Sequence, residues 1–134
     1  MLRLLLTLCI FATILVDSQK TTQITVRQTF KCNLRKDWRY KIDYYEHDYM
    51  PPHDPLHSTG FRDVWGASKV NVDVFNAVGG DGPGDTHYEI HAKVMHTCTN
   101  SGIATEFDGQ IGSVPVAAPT FQFNLPEFLL DVGI

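Results

Sequence analysis

Period-two alternation constrains this chain more than any other feature. From Gln23 to Cys32, the residues Ile24, Val26, Phe30 and Cys32 share one parity. Thr25, Arg27, Thr29 and Lys31 share the other, with Gln28 the exception on the apolar side. Asp37 to Tyr45 repeats the pattern, with Trp38, Tyr40, Ile42 and Tyr44 set against Arg39, Lys41 and Asp43. The longest run is Tyr88 to Cys98, where Tyr88, Ile90, Ala92, Val94, His96 and Cys98 share a face. Successive side chains of a strand leave on opposite sides, so each run predicts a half-buried strand. Lys69 to Phe75 alternates too, with Val70, Val72 and Val74 on one face, and Thr120 to Leu125 and a short Ile103–Phe107 segment complete the set.

The intervening segments read as turns. Pro51, Pro52 and Pro55 lack ladder donors, so Met50 to Gly66 is expected to be loop, and Gly79 to Asp85 is a glycine-rich turn. A short helix near Val114–Ala118 or at the C-terminus is the one helical candidate. About seven short strands separated by turn signals predict an all-β antiparallel sandwich of one domain.

Met1-Leu2-Arg3 followed by the uncharged run Leu4–Val16 has the form of a secretory signal. The run is shorter than the roughly 20 apolar residues a membrane-spanning helix needs. Residues 1–18 are therefore expected to be a signal peptide cut before Gln19, leaving residues 19–134 as the secreted, extracellular domain. A retained anchor or a buried helix is the alternative. No other apolar run is long enough to span a bilayer. Of the three cysteines, Cys9 would leave with the signal, and Cys32 and Cys98 would remain on the apolar parity of their strands. In an exported chain a Cys32–Cys98 disulfide is the economical reading, closing a loop of about 65 residues worth on the order of 4 kcal/mol. Two free buried thiols are the alternative.

Several motifs fall in a familiar order. Cys32 follows a first strand; Tyr44-Tyr45-Glu46-His47-Asp48 ends a second; Asp63-Val64-Trp65-Gly66, His96-Thr97-Cys98 and Phe123-Asn124-Leu125-Pro126-Glu127 follow. In this the chain resembles the nematode transthyretin-like family of small secreted proteins over roughly residues 24–128. Thr97 stands where that family has aspartate, and the Gly79–Asp85 loop differs from its acidic loop. The resemblance implies a transthyretin-like, immunoglobulin-like sandwich of seven or eight strands, and an extracellular protein that is not an enzyme. The hydrolase relative of that fold ends in Tyr-Arg-Gly-Ser, whereas this chain ends Asp131-Val132-Gly133-Ile134, and its His and Arg residues do not fall in the hydrolase pattern.

Other chemistry finds little support. The sequence has no Gly-x-Ser-x-Gly elbow, no P-loop and no His-Glu-x-x-His. His87, Glu89 and His91 share a strand face, and His47, His53 and His57 straddle a proline-broken loop. Both sets read as solvated surface, so no metal and no cofactor is expected. The Asp81–Asp85 loop has Pro83 where a calcium loop needs a ligand. His96 reads as a core histidine with a hydrogen-bond partner.

Eleven Lys and Arg against fifteen Asp and Glu give a formal charge of −4, which argues against nucleic-acid binding. Even so, cations concentrate early: Arg27, Lys31, Arg35, Lys36, Arg39 and Lys41. If the first two strands were neighbours in one sheet, these side chains would form a basic patch suited to anionic lipid or glycan surfaces. The alternative is an ordinary solvated face. The expected role is an extracellular binding or adaptor protein, contacting a partner protein or an anionic surface. A carrier of a small apolar ligand is the second reading. The sequence does not fix the oligomeric state.

Overall fold

In a computed structural model, the described residues are 20–79 and 84–131. The signal segment 1–18 lies outside them, as do residues 80–83 of the glycine-rich turn. Nine strands follow in order: β1 Thr21–Lys31, β2 Asp37–Glu46, β3 Asp54–Ser58, β4 Arg62–Trp65, β5 Ser68–Val78, β6 His87–His96, β7 Thr105–Pro115, β8 Thr120–Asn124 and β9 Phe128–Leu129. They form two sheets. The first has the order β5-β1-β8, with β9 also pairing with β1. The second has the order β3-β2-β6-β7, with β4 pairing with β2. Most pairs are antiparallel, while β8 and β9 run parallel to β1. Among the described residues no helix is present, and none is long and apolar enough to cross a membrane. The all-β sandwich expected from the alternation is the observed architecture.

The inward parity of β1, β2 and β6 builds the core. Ile24, Val26 and Phe30 meet Tyr40, Ile42 and Tyr44, with Tyr88, Ile90 and Val94 beside them. Aromatic rings link the layers: Phe30 lies 5.2 Å from Tyr40 and Tyr44 lies 4.7 Å from Phe75, centroid to centroid. Gly112 on β7 lets the sheets close, because a Cβ there would sit 2.6 Å from the Phe123 ring. Cys32 follows β1 of the first sheet and Cys98 follows β6 of the second. Their disulfide, 66 residues apart in sequence, therefore joins the two sheets.

Three expectations need correction. The Met50–Gly66 segment holds β3 and β4, end to end along one side of β2. Pro55 sits in β3 because that strand lies at the sheet edge, where a missing N–H donor does no harm. The weak Ile103–Phe107 segment belongs to an eleven-residue strand that starts at Thr105. Its alternation is interrupted by a bulge opposite Ile90/His91, which hides the period. That strand also absorbs Val114, so no helix forms there. Val70, Val72 and Val74 share a face as expected; it is the solvent face, and Asn71 and Asp73 point into the sandwich.

This placement has a local cause. Tyr40 and Tyr44 carry hydroxyls into the core, and a buried hydroxyl without a partner is costly. Tyr40 Oη donates to Asn71 Oδ1 at 2.8 Å and Tyr44 Oη to Asp73 Oδ2 at 2.7 Å. Asn71 Nδ2 donates to Asp73 Oδ2 at 2.6 Å. Arg62 on β4 closes the network, donating to Asn71 and pairing with Asp73 Oδ1 at 2.8 Å. Burial, and then the carboxylate of Asp73, hold the Tyr44 phenol far above its ordinary pKa, so it stays a donor.

Candidate functional site

The six predicted cations do not form one face. The Cys32–Lys36 connection crosses from one sheet to the other instead of closing a hairpin. Arg27 and Lys31 therefore lie on β1 of the first sheet, while Arg39 and Lys41 lie on the outer parity of β2 in the second. Arg35 and Lys36 sit in the connection itself. Carboxylates close by answer several of the charges. Arg39 pairs with Asp63 at 2.9 Å, Lys41 with Asp43 at 2.8 Å, Arg35 with Asp37 at 3.8 Å and Lys31 with Glu127 at 4.0 Å. The premise of a single basic patch is overturned by strand placement that alternation cannot report.

Two of the six, Arg35 and Arg39, instead line a cleft near the disulfide end of the second sheet. Its volume is about 340 Å³, and its walls include Trp38, Asp63, Trp65, Thr97 and Gly102. The β2–β4 register builds it. Asp37 lies opposite Trp65, Trp38 opposite Val64 and Arg39 opposite Asp63. Antiparallel partners share a face, so Trp38 and Val64 turn inward together and Arg39, Asp63 and Trp65 turn outward.

The cleft floor is tied down. Trp38 Nε1 donates to the Gly66 carbonyl at 2.9 Å. The Arg39 N–H donates to Thr97 Oγ1 at 3.0 Å, and the Thr97 N–H donates back to the Arg39 carbonyl at 3.0 Å. Gly102, at φ +73°, lies against the Arg35 guanidinium, so a side chain there would be strained and would displace it. The rim is loose by contrast. Arg39 sits 5.6 Å over the exposed Phe61 ring, and Trp65 is 84% exposed. Alternation placed Arg39 on the outer face but gave no sign of Trp65, whose four-residue strand is too short to show a period, or of Phe61, which precedes that strand.

At the other end of the same sheet, the structure draws one histidine from one predicted group and two from the other. His47 stacks between His53 and His91, with ring centroids 4.4 and 4.6 Å away. Tyr45 lies opposite both His91 and Pro55, and its hydroxyl donates to Asp108 at 2.6 Å. Burial and that bond push the Tyr45 phenol up to about 12. Burial, and then the neighbouring His47, hold the His91 pKa below the ordinary histidine value. A second cleft of about 530 Å³ lies beside this column, lined by Asp43, Tyr45, His53, Pro55, Lys93 and Asp108. The stacked rings offer each other faces rather than convergent nitrogens. Among the described residues no group of three or more His, Cys, Asp or Glu side chains could hold a metal ion. His57 departs to stack on Phe75 at 5.7 Å. His96 is buried as expected, but among the described residues its Nδ1 has no hydrogen-bond partner.

No curated protein and no solved structure matches this chain. One family model does, over residues 27–116, a span that takes in both cysteines and the whole Trp65 cleft. That span is more than half of the sequence, and the chain therefore belongs to the family described as Caenorhabditis elegans protein of unknown function (DUF870).

Proposed function

We propose that this chain is an exported, non-enzymatic binding module that docks a partner protein at the Trp65 cleft. The observation that carries the reading is Trp65, 84% exposed beside Arg39 and Phe61 over a rigid floor. An indole left in water forfeits the burial energy that large aromatic side chains usually gain on folding, roughly 25 cal/mol per Å². Trp and Arg are also the side chains that most often dominate protein–protein contacts, where a desolvating partner recovers that energy. Export is supported by the inter-sheet disulfide and by the form of residues 1–18. The resemblance to transthyretin-like proteins supports a role without catalysis. A carrier of apolar ligands needs an apolar chamber, whereas both clefts described above open on the outer face of the second sheet between charged side chains.

A photo-crosslinking residue placed at Phe61 tests this, with one at Thr25 on the opposite sheet as the control. Incubated with extracellular fluid, the position-61 protein is expected to capture a discrete protein, and Trp65→Ala should abolish the capture. Equal labelling from both positions, or capture indifferent to Trp65→Ala, would remove the cleft from the function.

A further inference from the structure

The loop between β2 and β3 is closed by a bond that only an uncharged imidazole can make. The Asp48 backbone N–H donates to His53 Nδ1 at 3.1 Å. Among the described residues it is the one hydrogen bond across this loop. A backbone N–H can only donate, so Nδ1 must hold its lone pair and the ring proton sits on Nε2. A second proton on the ring would turn that acceptor into a donor facing a donor.

The surroundings of the ring oppose the proton as well. His53 is one end of the column in which His47 lies at 4.4 Å and His91 a further 4.6 Å on, centroid to centroid. Tyr45 touches both ends, 5.4 Å from His53 and 5.5 Å from His91. Charged imidazoles stacked at this spacing repel one another.

Carboxylates answer the column unevenly. Asp108 on β7 lies 3.8 Å from His91 Nδ1 and accepts the Tyr45 hydroxyl. Glu89 on β6 stands opposite His47 in the ladder, while Glu46 is buried. At the His53 end, Asp43 and Lys93 line the second cleft but are engaged with Lys41 at 2.8 Å and Glu106 at 4.0 Å. Asp54, next in the chain, is exposed. The closed loop also buries Asp48 Oδ1 without a hydrogen-bond partner, the His53 ring included, and opening returns that oxygen to water.

We propose that His53 is a proton-released latch: neutral, it holds the β2–β3 loop against the histidine column; protonated, it frees residues 48–53 to leave the sheet. Imidazoles exchange protons between about pH 5 and 8, so the latch answers to mild acidification. Release removes one wall of the second cleft, which His53 lines. The device lies at the opposite end of the sheet from the Trp65 cleft and does not depend on it.

Amide hydrogen exchange of the disulfide-intact protein, followed by NMR and corrected for the intrinsic pH dependence of exchange, reads the latch at the Asp48 N–H. A proton that binds only the open loop shifts the balance by up to about tenfold per pH unit. Asp48 protection is therefore expected to fall several-fold between pH 7.5 and 5.5. The Leu125 N–H, bonded to the Arg27 carbonyl on the other sheet, should keep its protection. His53→Asn retains a side-chain acceptor that cannot be protonated, and should make Asp48 protection independent of pH. His53→Ala should leave Asp48 unprotected throughout. Wild-type protection that does not change with pH overturns the proposal, as does a response that survives in His53→Asn. So does protection that rises in acid, which would mean that the charged ring turns to the Asp48 carboxylate and tightens the loop.

Discussion

On β2, Arg39, Lys41 and Asp43 point to solvent while Tyr40, Ile42 and Tyr44 point to the core. On β5, Val70, Val72 and Val74 point to solvent while Asn71 and Asp73 point to the core. Both strands alternate cleanly, but the buried set of β5 mixes the polar Asn71 and Asp73 with the apolar Phe75 and Ala77. The hydroxyls of Tyr40 and Tyr44 account for the polar pair, since the inner side of β5 must supply their acceptors. The two outer faces differ in consequence. Outside the second sheet, ion pairs such as Arg39–Asp63 and Lys41–Asp43 balance charges in place. Outside the first, β5 exposes Val70, Val72, Val74 and Val78, with Asn76 between the last two. Alternation therefore sorts residues into two sets, and the polar groups trapped between the sheets decide which set is buried.

The largest expected effect tests what holds the two sheets together. Replacing Cys32 and Cys98 by Ser removes the disulfide cross-link between them, leaving the chain connections, the core and the Tyr–Asn–Asp–Arg network. The 66-residue separation gives a loss of about 4 kcal/mol by chain entropy. Urea unfolding of the double variant against the oxidised protein measures it. A loss under about 1 kcal/mol would mean that the network and core hold the sheets without help from the disulfide.

A smaller effect breaks the comparison at its origin. Asp73→Val makes the buried side of β5 more apolar, beside Phe75 and Ala77. It is expected to destabilise by about 3 kcal/mol, because the Tyr44 hydroxyl and the Asn71 amide lose their acceptor and Arg62 loses its ion pair. The figure lies at the low end for a broken buried pair, since the Arg62 side chain is 34% exposed and water can reach it. Urea midpoints for single chains at low protein concentration are the measurement. Val78→Thr makes a polar exchange on the outside of the same strand and should cost no more than about 0.5 kcal/mol. A stabilised Asp73→Val protein would show that the inward placement of Asp73 has some other cause.

The strands with one apolar and one charged set were legible from the sequence, because β1, β2 and β6 each bury one face against the other sheet. The pairing of Cys32 with Cys98 was legible for the same reason, as both sit on the buried parity. What alternation could not report was partition between sheets. Arg27 and Arg39 have the same outward parity and leave the molecule in opposite directions, which dissolved the expected basic patch. β4 was missed because four residues between a glycine and a tight turn are too few for a period, and Trp65 and the cleft were missed with it. One unused signal was present: Asn71 and Asp73, two apart, match in polarity the two tyrosines four apart on β2. The large majority of buried hydroxyls in proteins have such a complement.

The smallest effect contrasts two polar side chains buried by the same sandwich. Asp73 is surrounded by donors, whereas His96 is buried against Phe107 with its Nδ1 unbonded among the described residues. Burial alone holds the His96 pKa below its ordinary value of 6.5. The sign follows from proton counting. Below 6.5 the unfolded chain takes up a proton at this site that the folded chain refuses, so acid favours unfolding. The full contribution is present above 6.5 and is lost as pH falls through the folded pKa. A tenfold difference in proton affinity between the two states is worth about 1.4 kcal/mol. His91 is depressed as well, by burial and by its histidine neighbours, so it adds to the same slope from the outer face. His96→Leu should flatten the stability profile between pH 7.5 and 5 while leaving the His91 part intact, and urea midpoints at a series of pH values resolve the two. An unchanged slope would mean that the His96 proton is accommodated in the fold. The outer histidine column would then account for the acid sensitivity.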